Sequence, residues 1–149
     1  MTQLNASGLS ILRAVFGMGL LTFVMAAWMT AVRMPAMKRA GLSLQDAAHT
    51  RHLAERLPSS ATRVADNYRH LLETPTVFYA VALAIVVAGL ADPVYAACAW
   101  LFLAARVAHS IVQATFNRVS VRAALYTVSW VPLAVMIVRP MLGVLGVAT

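Results

Sequence analysis

The chain has 149 residues, 61% of them hydrophobic and only 11% charged, with a net charge of +7. A soluble domain carries about 25% charged residues, so this composition excludes one and points to an all-α membrane protein, a single domain whose four spans need about 20 residues each. The positive charge does not indicate nucleic acid, because the basic residues flank apolar runs instead of lining a soluble face; the lipid bilayer and an anionic small molecule are the expected partners.

In chain order, Met1 to Ser10 is polar and uncharged, and the apolar run after Arg13 is too long for the core of a signal peptide, so it is expected to be a retained span. That span is expected from Ala14 to Val32, closed by Arg33, Pro35, Lys38 and Arg39. Ala40 to Ser60 is the one sizeable loop, and the pattern from Leu44 to Leu57 suggests a short surface helix. The second span is expected from Pro75 to Ala91, continuing a helix that starts near Ala61, since Val64, Tyr68, Leu71, Leu72 and Pro75 keep a 3-4 spacing. Asp92-Pro93 reads as a tight turn, Val94 to Phe116 as the third span, Asn117-Arg118 as a connection, and Ala123 to Val138 as the fourth span, with Pro132 a kink inside it. Gly17 and Gly19 read as helix-packing positions.

Orientation follows from the basic residues. The first loop region holds Arg33, Lys38, Arg39, Arg51, Arg56, Arg63 and Arg69, and the last connection adds Arg118 and Arg122, whereas the Asp92 turn has none. Both basic connections are therefore expected in the cytoplasm and both termini on the opposite side. Cys98, the single cysteine, lies in an apolar run, which leaves no intramolecular disulfide and no cysteine-based metal motif. His49, His52, His70 and His109 offer no metal-ligand pair on one helix face with a carboxylate.

The charges inside spans are the informative ones. Arg106 lies twelve residues into the third span, roughly 18 Å along it. An arginine at mid-membrane costs about 2.5 to 3.5 kcal/mol on insertion scales, so it is expected to face the bundle interior or a wet cavity and to want an anionic partner. At 100° per residue, Arg106, His109 and Gln113 share one face, as do Asp66, Arg69 and Glu73 on the second helix, and Arg122 and Tyr126 on the fourth. Three helices thus offer polar stripes at similar depth. Two structural arrangements compete with a shared pocket: an i, i+4 pair of Arg69 with Glu73, and an interhelical pair of Arg106 with Glu73.

The stretches RHLLET (Arg69 to Thr74), RVAHS (Arg106 to Ser110) and VRAALYT (Val121 to Thr127), with Val32-Arg33 at the end of the first span, resemble the MAPEG family, membrane-associated proteins in eicosanoid and glutathione metabolism. ETPTVFYA and FNRVSVR look closer to its bacterial branch. The resemblance implies a homotrimer of four-helix protomers in a bacterial inner membrane, with glutathione as cosubstrate bound between protomers near the cytoplasmic face. By position, Arg33, Arg69, Glu73, Arg106, His109, Arg122 and Tyr126 fall where the family contacts glutathione, and His70 and Gln113 stand where members often have asparagine and tyrosine. Arg122 is the expected catalytic residue, favouring the thiolate that would attack a hydrophobic electrophile or a lipid peroxide. Ala123 follows it where one branch carries a serine, which argues against isomerase chemistry of that branch. The family also includes members that bind lipophilic ligands without catalysis.

Overall fold

The computed structural model describes residues 4–48 and 55–146. Helix α1 spans Ala6–Arg39, α2 Ser59–Leu71, α3 Thr74–Val87, α4 Pro93–Ala114 and α5 Val119–Val144, and no strand occurs among the described residues. With α2 and α3 taken as one broken span, four helical segments are long and apolar enough to cross a bilayer. They form an antiparallel up-and-down bundle in which α4, the most enclosed, packs against α1, α2 and α5. The side chains at 47 and 48 and the residues 49–54, with His49, His52 and Arg51, lie outside the described part. What is described of the expected surface helix begins as a 3-10 turn at Gln45–Ala48.

The helices run further than the hydropathy suggests, because their capping residues lie outside the apolar stretches. Asn5 caps α1, its Oδ1 accepting the Gly8 N–H at 2.7 Å, while its Nδ2 donates to the Ala91 carbonyl at 2.8 Å and ties the start of α1 to the turn before α4. Pro35 does not close α1. The helix continues four residues past it and stops at Gly41, whose φ of +66° lets the Leu42 N–H reach back to the Met37 carbonyl at 3.0 Å. Gly89, at φ +71°, ends α3 in the same way, with the Leu90 N–H on the Ile85 carbonyl at 3.0 Å.

The second span corrects the sequence reading most clearly. It is not one helix, because Pro75 has no N–H for the Leu71 carbonyl and its ring crowds that same carbonyl. Accordingly α2 stops at Leu71, Glu73 takes φ −94° and ψ −94°, and α3 restarts at Thr74 with the Glu73 carbonyl accepting from the Thr76 N–H and hydroxyl.

In lipid, burial of apolar surface does not drive helices together; close packing and polar contacts do. Phe78 of α3 stacks on Phe102 of α4 at 4.6 Å between centroids and 14° between planes, among Ile11, Met18, Leu133 and Met136. Gly17 earns its small size here: a Cβ would lie 2.8 Å from Leu103 Cδ2 on α4. Gly19 meets nothing within 4 Å, so the packing role expected of it is absent within the protomer. Cys98 is buried, as its apolar context suggested. At the end of the bundle that carries the termini, Arg139 of α5 donates to Asp92, the N-cap of α4, and lies 4.8 Å over the Tyr95 ring.

Candidate functional site

The break between α2 and α3 creates the site. A continuous helix would use the His70 carbonyl for the Thr74 N–H; here that carbonyl is left with a 3.4 Å bond from the Glu73 N–H. Arg106 of α4 fills the gap, its Nη2 donating to the His70 carbonyl at 3.1 Å. The guanidinium is fully enclosed and lies 5.6 Å from the Tyr126 ring centroid, within cation–π range. Its Nε and Nη1 have no partner, and no carboxylate pairs with it among the described residues. Leaving a charge buried this way costs several kcal/mol unless something compensates it.

His109, one turn along α4 and 3% exposed, joins α4 to the first turns of α5. Its Nδ1 donates to the Arg122 carbonyl at 3.0 Å, and its Nε2 meets the Gln113 amide at 2.9 Å. The ring also stands edge-on to His70 at 6.3 Å and 6.1 Å from Tyr126. Tyr126 is held on its other side by Thr74, whose hydroxyl donates to the phenolic oxygen at 3.2 Å. Arg122 is oriented by Asn117, a left-handed residue at φ +49° in the α4–α5 connection, whose Oδ1 accepts from Nη1 at 2.9 Å.

The candidate residues therefore separate into two layers. Arg106, His109 and Gln113 are enclosed; Arg69 and Glu73 are exposed, and His70, Arg122 and Tyr126 are half-buried in front of them. Neither expected pairing of Glu73 occurs. The kink turns it off the α2 stripe, so that Arg69 lies 3.6 Å from Asp66 and Glu73 takes His70 at 3.1 Å. Arg106 is bound to main chain instead of to Glu73. Arg33, half-buried on α1, forms no ion pair among the described residues.

Asn67, Thr74 and Ser110 escaped the sequence reading, although all three are buried. Asn67 sits three residues after Val64 and four before Leu71, inside the buried stripe of α2, and its polarity hid it from an apolar pattern. Ser110 lies one turn beyond Arg106, and spacing alone places it on the same face.

A model of the MAPEG family matches residues 11–142. Neither the curated proteins nor the solved structures contain a match to the chain.

Proposed function

The chain belongs to the MAPEG family, and from that premise we propose that it is a glutathione-dependent transferase or peroxidase acting on hydrophobic electrophiles from within the membrane. Membership in the family and four apolar spans make it an integral, multi-pass membrane protein connected with glutathione or eicosanoid metabolism. The observation that carries the finer reading is the outer layer of the site, where the exposed Arg69 and Glu73 and the half-buried Arg122 offer charges of both signs in front of the enclosed Arg106 and His109. Glutathione presents two carboxylates and one ammonium. The arginines suit the first and Glu73 the second, by charge-assisted hydrogen bonds.

In this reading Arg122 is the catalytic residue. A free thiol of this kind ionises near pH 8.5, and a guanidinium alongside favours the thiolate. The thiolate sulfur donates its electron pair to an electrophilic carbon, forming a C–S bond as the leaving group or the conjugated system takes up the displaced electrons. With a lipid peroxide it attacks oxygen instead: the O–O bond breaks, the alkoxide is protonated, and a second glutathione completes the disulfide with loss of water. Arg106, His109, Gln113 and Thr74 act from behind, holding Tyr126 and the first turns of α5. Arg33 and His70 complete the proposed binding surface, which a neighbouring protomer of a homotrimer closes. The basic connections support a cytoplasmic position for this end, in a bacterial cell on this reading.

Ala123, exposed beside Arg122 and without a hydroxyl, favours one second reading, that of a protein binding a lipophilic or anionic ligand without chemistry. Calorimetric titration and thiolate absorbance on the purified protein separate the two. Glutathione is expected to bind, with Arg69→Ala and Glu73→Ala each weakening it roughly ten- to hundredfold. The thiolate signal is expected to appear on mixing and to vanish in Arg122→Ala while binding persists. Binding with no thiolate signal in the wild type would leave the non-catalytic reading, and no binding at all would remove both glutathione roles.

A further inference from the structure

Given the thiolate-stabilising role proposed above for Arg122, on which this rests, we infer that Asn117 is a positioning residue of the reaction: its amide oxygen steers the Arg122 guanidinium onto the glutathione sulfur without neutralising it.

Arg122 is fixed at both of its ends. Its N–H donates to the Arg118 carbonyl at 3.0 Å and its own carbonyl accepts from His109 Nδ1 at 3.0 Å, so the main chain at the start of α5 is set from two sides. A long arginine side chain would still move among many rotamers from that fixed point. Asn117, in the α4–α5 connection, removes that freedom by accepting from Nη1 at 2.9 Å. A guanidinium only donates, so the amide turns its oxygen and not its nitrogen toward it. The acceptor is itself held, because the half-buried Asn117 takes φ +49° and its N–H donates to the Val112 carbonyl at 2.8 Å at the end of α4.

The residue type matters as much as the contact. Aspartate tolerates a left-handed backbone as asparagine does and would reach the same N–H, but its carboxylate would pair with the guanidinium and cancel the field that favours a thiolate. Glycine would keep the turn and release the arginine. Among the described residues no carboxylate pairs with Arg122, and the asparagine adds no countercharge of its own. The anchor thus occupies one N–H and leaves the remaining donors and the charge to the sulfur.

The test follows thiolate absorbance against pH in the full-length protein in detergent with glutathione bound, for the wild type, Asn117→Asp and Asn117→Gly, with thermal unfolding showing that each is folded. Asn117→Asp is expected to bind glutathione with the apparent pKa of the bound thiol raised by about one unit, a roughly tenfold loss of thiolate at any pH below it. Asn117→Gly is expected to lose roughly fivefold by freeing the guanidinium. Should one variant fail to fold, the other carries the test. A bound-thiol pKa that stays at the wild-type value would overturn the inference and make Asn117 a turn residue only, with the glutathione proposal intact. A wild type that binds glutathione without forming thiolate, or does not bind it, would overturn both.

Discussion

Arg106 and Arg139 set the two ends of the bundle against each other. Both are arginines on membrane-spanning helices. Arg139 is answered within the chain, by the Asp92 carboxylate and the face of Tyr95. Arg106 is answered by one main-chain carbonyl and the edge of a cation–π contact, with two N–H groups left over. The first arrangement joins α5 to the cap of α4 and asks for nothing more. The second leaves positive charge in the interior, next to a surface where Arg69 and Arg122 already gather cationic groups. An intramembrane arginine is therefore informative chiefly through what has not been provided for it.

If this division is correct, substitutions at the two ends should have opposite signatures. The largest effect is expected from Arg106→Met, which removes the cation behind Tyr126: glutathione affinity should fall more than tenfold by calorimetry, while stability changes by about 1 kcal/mol or less because a buried charge is exchanged for an apolar chain of similar length. A loss of stability with affinity intact would make Arg106 a structural arginine like Arg139. Asp92→Ala comes next. It deletes the N-cap of α4, costing about 1 kcal/mol of stability in a denaturant titration, with glutathione binding unchanged.

The smallest effect is expected from Asp92→Asn, which keeps the cap and discharges the pair; exposed ion pairs contribute little. Its signature is in pH. Desolvation at the turn raises the Asp92 pKa, but the Tyr95 N–H, Arg139 and the Val94 N–H outweigh it and hold the carboxyl below its ordinary 3.8. A lowered folded-state pKa gives stability that is complete above the unfolded value and lost as pH falls through the folded one. The wild type should therefore lose stability below about pH 4 by more than Asp92→Asn does, and identical acid profiles would remove the pair from the account.

Four spans, their order and the polar faces of α4 and α5 are legible in the sequence, because charge scarcity and residue spacing are local properties; the third expected face, Asp66, Arg69 and Glu73, is broken at Glu73. The sequence also contains the cause of the break, Pro75, but an apolar 3-4 spacing runs straight through that position and hides it. A 3-4 spacing runs through Tyr68 and Leu72, but Leu72 is 49% exposed and the enclosed positions include Val64, Asn67 and Leu71. A polar residue in a buried stripe is invisible to a hydrophobic pattern. The Asp92–Arg139 pair joins residues 47 apart, and no local pattern announces it. Arg69 and Glu73 share a helix face by spacing and match the family by resemblance, but their exposure in one protomer is the kind of fact that neither contains.

The hydrogen bond from Arg106 to the His70 carbonyl has an evolutionary consequence. The acceptor belongs to the backbone, so it survives any replacement of the imidazole that keeps the helix end intact. Position 70 can change its chemistry while the arginine behind it stays anchored. The surface that meets a ligand at residue 70 can thus vary without rebuilding the layer beneath it, and Pro75, which breaks the helix and so keeps the Thr74 N–H from the His70 carbonyl, is the residue whose loss such variation would not tolerate.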